Sequence, residues 1–359
     1  MTESFEQLKE QYSKYTLRKI LFIIVCITLT VTMFWLSLAV GTRQLSLEES
    51  LSLFINHLIG NAPDPDSELW YDDSIVWNFR VPRALFAIIS GAGLSVAGAV
   101  MQSIMKNPLA DPYTTGVSSG ALLGASIAIV LGFSLTGGGI DNMGIVVNAI
   151  VFAMLPVVAI VAMGPFFRQS PASLILAGVV VSFAFSSMSS LLLVTTDSST
   201  LARVYHWQVG TLSEVSWDAV LPVFIVELVG ICILFPLANK INLMALDDKD
   251  ARSMGLDSEK LRMICLVTLS VMAAIIICYV GVIGFVGLVI PHIVRIILGS
   301  DNKYLIPASA AFGAAFLLTC DVISRSLDVN ASIPVGVVTS FIGAPLLLLL
   351  IIKEKKNIW

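Results

Sequence analysis

The chain contains few residues that could carry out bond chemistry, and none stands in a pattern that such chemistry requires. Its three histidines, His57, His206 and His292, lie far apart in the sequence. The five cysteines show no C-x-x-C spacing, so they indicate neither a metal cluster nor a disulfide framework. There is no Gly-Lys dipeptide, hence no Walker A loop, and no H-E-x-x-H or G-x-S-x-G motif. Neither an ATPase nor a hydrolase is therefore expected of this chain.

Long apolar stretches must position whatever sites the chain has. Apolar residues make up 57% and charged residues 13% of the 359 residues, and the mean hydropathy is +0.89. A soluble domain of this size needs more charge, whereas about 20 apolar residues in a helix cross a bilayer core of about 30 Å. The predicted spans cover about 20–40, 84–105, 117–135, 144–167, 173–195, 219–239, 262–282, 284–299, 304–324 and 333–352. The sequence predicts an all-α polytopic membrane protein with a single transmembrane domain over 1–359.

Lysine and arginine are distributed unevenly between the segments that join these spans. They collect in the N-terminal segment, between 240 and 262, and in the C-terminal tail, whereas the segment around 64–73 is acidic. The positive-inside rule then places both termini in the cytoplasm, which requires an even number of spans. The cations left on the outer side are Arg43, Arg80, Arg83, Arg203 and Arg325.

Ionisable residues at mid-membrane would indicate a carrier driven by protons or sodium. Glu227 is the one acid near the middle of a predicted span, and we interpret it as a structural acid rather than a proton relay. Asp321 and Arg325 lie four residues apart on one helical face and are predicted to neutralise each other. An ion-coupled secondary transporter nevertheless remains the alternative from another functional class.

The longest cytoplasmic insertion in the second half, residues 245–262, reads as two short helices with a break. Asp247 can cap the first helix, Gly255 can end it in a left-handed conformation, and Asp257 can cap the second. Two capped helices along the membrane surface would form a rigid projection suited to a groove on a cytoplasmic partner. A solvated connecting loop is the competing interpretation.

Across its whole length the chain resembles the permease subunits of type II ABC importers for iron–siderophores, haem and cobalamin. The motifs that carry the resemblance are Arg80-Val-Pro-Arg83, Gly91-Ala-Gly-Leu-Ser-Val-Ala-Gly98, Asn107-Pro-Leu-Ala-Asp-Pro112, Gly116-Val-Ser-Ser-Gly120, Leu176-Ala-Gly178, Trp207-x-x-Gly-Thr-Leu212, Gly284-Phe-Val-Gly-Leu-x-x-Pro-His-x-x-Arg295, Asp321-x-x-x-Arg325 and Ile333-Pro-Val-Gly-Val-Val-Thr339. Any one such motif is weak, but this many in order are specific.

The resemblance implies a type II ABC importer permease fold of ten helices in the cytoplasmic (inner) membrane. It also implies a second permease copy, expected as a homodimer, two separate ATPase subunits and an extracytoplasmic substrate-binding protein. This chain would bind no cofactor, metal or nucleic acid; ATP and Mg²⁺ would sit on the ATPase, and lipid would surround the helices. The expected cargo is an iron chelate, siderophore or haem, with cobalamin as the alternative.

The resemblance also assigns residues to roles. Segment 245–262 would couple to the ATPase, through Asp247, Asp250, Ala251, Arg252, Met254, Gly255 and Leu256. Arg80, Arg83 and Arg325 would dock carboxylates of the binding protein, since arginine presents a planar fork to a carboxylate; the alternative is that they pair or anchor helix ends. The pathway and gate would involve Ser170, Pro171, Ser182, Ser186, Ser189 and Ser190, although small residues also serve helix packing.

Overall fold

The computed structural model describes residues 2–137, 142–163, 171–246, 248–327 and 333–356. Ten long or apolar helices form the bundle: α1 Thr2–Ala39, α4 Val81–Ile104, α5 Val117–Leu131, α6 Asn142–Met163, α7 Pro171–Val194, α9 Trp217–Leu234, α12 Ser258–Val280, α13 Val286–Leu298, α14 Asn302–Leu327 and α15 Val335–Lys356. Five further helices are short: α2 Leu47–Leu58, α3 Leu69–Ser74, α8 Ser198–Gln208, α10 Ala238–Leu243 and α11 Asp248–Ser253. The ten predicted spans therefore match ten helices, each displaced by only a few residues except for α1, which begins earlier.

Among the described residues, seven helical stretches are long and apolar enough to cross a bilayer, and α5, α13 and α15 contribute shorter apolar segments. The eighth predicted span, 284–299, is short for a crossing by its sequence, and the structure confirms this: α13 has 13 residues and reaches only about 20 Å. Helix α5 ends four residues before its predicted limit, since Gly132 turns left-handed at φ 66°.

Helix α4 lies at the centre and packs against α9, α12, α13 and α14. A Cβ atom on Gly91 would come within 2.3 Å of the carbonyl oxygen of Gly313, and one on Gly98 within 1.7 Å of that of Gly287. The same face ends in Gln102, whose amide donates to the carbonyl oxygen of Leu288 at 2.9 Å. Small residues that let backbones touch are a standard means of helix packing in membranes.

Two connecting segments and the first turn of α15 meet at the outer end of the short helix α13. The amide of Gly210 donates to the carbonyl oxygen of Val282 at 3.1 Å, and the amide of Gly336 donates to that of Gly210 at 2.9 Å. Because α13 is too short to cross the core, this junction lies at membrane depth, where irregular backbone persists only if buried protein satisfies its polar groups. A Cβ on Gly210 would meet the Val282 carbonyl oxygen at 2.4 Å, which accounts for glycine at this position.

The outer side carries a small cap built from α2, α3 and the π-helical segment Ile75–Arg80. Helix α2 begins with a complete capping box, in which Ser46 and Glu49 each accept from the other's backbone amide. These hydrogen bonds to Ser46 lower the pKa of the Glu49 carboxyl. His57, in the last turn of α2, joins this helix to the rest of the cap by a 2.7 Å contact with Asp73.

Candidate functional site

The coupling segment, residues 245–262, has the local structure that its sequence predicts. Helix α11 covers Asp248–Ser253, and Gly255 ends it at φ 81°. Asp257 then caps α12 by accepting from the amide of Lys260 at 3.1 Å. Asp247, the predicted first cap, lies outside the described residues.

One buried arginine fastens this segment to the bundle. The side chain of Arg262 is fully buried, and its guanidinium donates to the carbonyl oxygen of Ile104 at 3.3 Å and to Asp248 at 3.2 Å. The ammonium of Lys106 donates to the carbonyl oxygen of Leu246 at 2.5 Å and stands 3.7 Å from Asp248. The coupling segment is therefore held to the cytoplasmic end of α4 and cannot be described as a loose loop.

The residues of the coupling segment divide between two faces. Ala251 and Leu256 are buried against the bundle. Asp250, Arg252 and Gly255 are exposed, and the apolar side chain of Met254 is 59% exposed. An exposed methionine on a braced turn is a surface that an apolar groove could cover.

At the opposite side of the bundle, two of the three predicted docking arginines are buried. Arg80 donates to the carbonyl oxygens of Leu38, Ala39 and Arg43, the last two at 3.0 and 2.5 Å. Arg325 donates to the carbonyl oxygens of Ser37 and Val40 at 3.0 and 2.9 Å. Both guanidinium groups fasten the outer end of α1, because carbonyls at a helix C-terminus accept from cations; this matches the anchoring alternative.

Arg83 and Arg325 share one carboxylate. Asp321, completely buried, accepts from Arg83 Nε at 2.8 Å and lies 2.9 Å from Arg325. The predicted pairing of Asp321 with Arg325 is confirmed, and Arg83 joins it. The docking role of all three arginines stays a prediction, for which Arg83 is the best placed since it keeps some exposure.

Two other outer cations are exposed, and the sequence analysis gave them no role. Arg203 in α8 is exposed. The side chain of Arg43 is 57% exposed and pairs with Asp72, which raises the pKa of the guanidinium. Helix α8 is itself held by Asp197, whose carboxylate accepts from the hydroxyl of Ser199 and from the amides of Ser199 and Thr200, and these hydrogen bonds lower its pKa.

A cavity of about 910 Å³ opens on this outer side between α5, α6, α8 and α12. Its lining includes Arg203, His206, Trp207, Glu214, Asp218 and Tyr279. Both signs of charge and two aromatic rings face it, so it can receive a polar ligand with flat apolar faces. His206 alone, being exposed, provides no haem-ligand geometry.

The serines of α7 do not share one environment. Ser189 is buried and donates to the carbonyl oxygen of Phe185 at 3.1 Å, and Ser182 donates to that of Gly178 at 2.7 Å while facing Gly116. Ser186 and Ser190 are exposed. Ser182 and Ser189 therefore belong to packing, whereas the exposed pair remains the candidate for a pathway.

The predicted gate residues, Ser170 and Pro171, lie in the sequence at the start of α7. Helix α7 begins at Pro171, as the sequence predicts, whereas Ser170 lies outside the described residues. The remaining exposed face of the helix carries large apolar side chains such as Phe183, which is 70% exposed. Such a face suits lipid or another transmembrane surface.

Glu227 lies in the interior between α9 and α4. It is 2% exposed, and neither carboxyl oxygen has a hydrogen-bond partner among the described residues. A Cβ on Gly93 would approach its Oε2 to 1.9 Å, so the missing side chain of Gly93 makes room for the carboxyl group. An unpaired acid so deep in a membrane protein is carried as the neutral form, because burying an isolated charge is far more costly.

Comparison with known proteins places this architecture among transporters. The FecCD transport family matches residues 29–353. An ABC transporter permease protein of Methanocaldococcus jannaschii is 36% identical over 360 residues, covering 97% of this chain and 99% of the relative. The probable iron chelatin transport system permease protein of Helicobacter pylori is 35% identical over 333 residues, covering 92% and 96%.

A solved structure, described as an inward-facing conformation of a metal-chelate type ABC transporter, superimposes with a TM-score of 0.79 at 31% identity. It covers 92% of this chain and 98% of its own. Further relatives of 32% to 34% identity are named as permeases for molybdate in Haemophilus influenzae, hemin in Yersinia pestis and cobalamin in Halobacterium salinarum.

The family match, the first relatives and the solved structure extend over nearly the whole chain and agree with a bundle of membrane-spanning helices. The cargo differs between the relatives, so the similarity identifies the class of transporter and leaves the cargo open. The chain belongs to the FecCD transport family and is a multi-pass permease subunit of an ABC importer in the cytoplasmic membrane, a transport component rather than an enzyme.

Proposed function

We propose that this permease moves an intact iron chelate, a siderophore complex or haem, into the cytoplasm, with ATP and Mg²⁺ bound by separate ATPase subunits. The proposed coupling to the ATPase is supported by the structure of the coupling segment. The ion pair of Arg262 and Asp248 holds the segment in place, and Met254 and Gly255 are exposed on its surface. Two ATPase subunits would each receive one such segment in a surface groove. Hydrolysis could then move the segment without bending it, because it is fastened to the end of α4.

The second half of the conduit would come from another copy of this chain. Helix α7 is exposed on the face that carries Ser186, Ser190 and Phe183. Two such faces, turned towards each other, would enclose a passage lined by small hydroxyl groups and apolar side chains. A bulky, rigid chelate could slide along it without a tight site, as the alternating opening of the two ends requires.

The outer cavity supports a cargo with charged edges and flat faces, which an iron chelate or haem supplies. A corrinoid such as cobalamin has the same features and is the alternative within the family. A compact oxyanion such as molybdate would leave Trp207 and Tyr279 without contacts. An extracytoplasmic binding protein would deliver the cargo above α8.

Reconstitution tests this proposal. The permease is purified with its ATPase, placed in liposomes, and supplied with the binding protein loaded with ferric siderophore, haem, cobalamin or molybdate. We expect ATP-dependent accumulation of one iron chelate and at least tenfold less of the other cargoes. Preferential accumulation of cobalamin or molybdate would contradict the iron-chelate assignment but leave the ATP-driven mechanism standing.

Glu227 is the one observation that favours a second candidate, an ion-coupled secondary transporter, since a buried unpaired acid can bind and release a proton. The same liposomes without ATPase, under an imposed proton gradient, distinguish the two classes. We expect no uptake there. Uptake driven by the gradient alone would overturn the ABC mechanism.

A further inference from the structure

A second cavity, of about 690 Å³, lies at the cytoplasmic end of the bundle. It is bounded by the end of α4, by α10 and by the turn from α13 to α14. Its polar lining includes Lys106, Asn107, Asn242, Arg295, Ser300 and Asn302. The outer cargo cavity and the exposed face of the coupling segment use none of these residues except Lys106, which braces that segment from behind.

The charge in this cavity is unbalanced at Arg295. Its guanidinium donates to Ser103 at 3.3 Å, while its Nε is buried without a hydrogen-bond partner. In the part of the chain that the structure describes, no carboxylate comes within 4.0 Å of Arg295. Asp301 also lines the cavity, but its Oδ1 already accepts from the Asn242 amide at 2.7 Å and from the Lys303 amide at 3.1 Å.

A half-buried guanidinium without a counter-ion is costly, because it has lost water and gained no opposite charge. The five donors of arginine match the oxygens of a phosphate in a planar fork. The side-chain amide of Asn107 and the hydroxyl of Ser300 add donors around the same space. The chemistry of the lining therefore favours an anion with phosphate oxygens.

The position of the cavity decides between a lipid and a soluble anion. Arg295 is followed by Ile296, which also lines the cavity and is 48% exposed on the apolar side of α13. Ile241 and Ala245 extend the apolar part of the lining. The cytoplasmic leaflet holds the anionic lipids, and basic pockets between helix ends on that side accept their headgroups. We propose that this cavity binds the phosphodiester headgroup of an anionic phospholipid of the cytoplasmic leaflet, with Arg295 as its counter-ion.

Native mass spectrometry of the full-length permease in neutral detergent tests this proposal. Phosphatidylglycerol and phosphatidylcholine are offered in equal amounts, and the lipids retained per chain are counted. The wild-type protein should retain phosphatidylglycerol in preference. The Arg295→Gln variant should lose at least fivefold of that retention, whereas Lys240→Gln, which removes an exposed cation on the same side but outside the lining, should keep it.

Two results with the permease alone would overturn the proposal. One is unchanged retention of phosphatidylglycerol by Arg295→Gln. The other is displacement of the lipid from the wild-type protein by millimolar inorganic phosphate, which would show that the site takes a soluble anion. The phosphate competition needs no variant, so it distinguishes a lipid from a soluble anion even if Arg295→Gln does not fold. Arg295→Lys keeps the positive charge but loses the planar guanidinium, and it should retain an intermediate amount of phosphatidylglycerol.

If addition of the partner ATPase expels the lipid and leaves Arg295 against an ATPase carboxylate, the lipid assignment is likewise wrong. None of these measurements depends on transport, so their outcome is independent of the cargo and of the coupling mechanism.

Discussion

The guanidinium of Arg262, fully buried at the start of α12, donates to Asp248 at the start of α11 over 3.2 Å. This contact spans the bend of the coupling segment and joins its two helices. The same guanidinium reaches the last carbonyl of α4 at Ile104. A force on the coupling segment is thereby transmitted to α4, the central helix of the bundle.

Replacing Arg262 by methionine should destabilise the permease by about 1–3 kcal/mol, because it leaves the carbonyl oxygen of Ile104 without this donor and Asp248 with Lys106 alone. Thermal unfolding in detergent measures the effect. The matched control is Arg252→Met: Arg252 pairs with Glu259 at 2.5 Å on the exposed surface, and such pairs contribute less than about 1 kcal/mol. Equal losses of stability in both variants would contradict the bracing role of Arg262.

Replacing Met254 by glutamate should separate the permease from its ATPase without unfolding it. Met254 is 59% exposed, so the bundle should tolerate the charge, whereas a charge enclosed in an apolar groove of the ATPase is costly. Co-purification of the two subunits should fall at least tenfold, and the melting temperature should not change. Met143→Glu, at a methionine that is 46% exposed at the outer end of α6, serves as the control and should leave co-purification intact.

Replacing Gly98 by alanine should disrupt the packing of α4 against α13. The new Cβ would lie 1.7 Å from the carbonyl oxygen of Gly287, a backbone atom that cannot move away alone. We expect a loss of at least about 3 kcal/mol, as for severe overpacking, visible as a lower melting temperature. Gly284→Ala, in the same motif as Gly287, would meet only Ser340 Oγ at 3.8 Å and should be tolerated.

Reversing the charge of the exposed Arg203 should weaken docking of the binding protein by about fivefold at low salt, as expected for a rim charge. The loss should shrink at high salt, because screening removes the attraction that the variant lacks. Arg80→Gln should instead lower the melting temperature, since Arg80 holds the end of α1. Titration of the binding protein at low and at high salt measures the docking affinity of both variants. A docking defect in Arg80→Gln alone would show that Arg80, and not Arg203, contacts the binding protein.

Replacing Glu227 by glutamine should leave ATP-driven uptake within about twofold of the wild-type rate, since a neutral amide resembles a neutral acid in size. Glu227→Leu is the contrasting change, because its branched end must fit where Gly93 leaves room for a planar group. Uptake abolished by glutamine with an unchanged melting temperature would show that the proton of Glu227 takes part in transport.

Much of the fold follows directly from composition and spacing. Most helices of the bundle are signalled by about 20 apolar residues, and the helix ends by glycines such as Gly132 and Gly255, whose φ angles are positive. Gly91, Ser95, Gly98 and Gln102 are spaced to share one face of α4, and this face contacts α13 and α14. These features are local, so the sequence around them is sufficient.

The environments of the outer arginines could not be predicted in the same way. The positive-inside rule locates Arg80 on the outer side but says nothing of the carbonyl oxygens 37 to 42 residues earlier that accept from it. Likewise, Ser186 and Ser189 lie three residues apart on α7, yet Ser186 is exposed and Ser189 is buried. Burial by distant segments decides both cases, and it is not written in the local sequence.

The cytoplasmic cavity was also beyond reach of the sequence, since Lys106, Asn242 and Arg295 come from three distant parts of the chain. Each belongs to a region that reads as ordinary positive-inside charge or a polar turn. Only their convergence shows that Arg295 has no counter-ion among the described residues.

The hydrogen bonds of Gly210 have a mechanical consequence for the alternation between the two open states. The backbone amide of Gly210 donates to the carbonyl oxygen of Val282, and its carbonyl oxygen accepts from the amide of Gly336. The segment after α8 is therefore hydrogen-bonded to the connection before α13 and to the first turn of α15. While these hydrogen bonds hold, a binding protein that displaces α8 must also displace α13 and α15, so that these helices move as one rigid unit within the bilayer. The binding protein on the outer side and the ATPase on the cytoplasmic side would then act on opposite ends of this one unit.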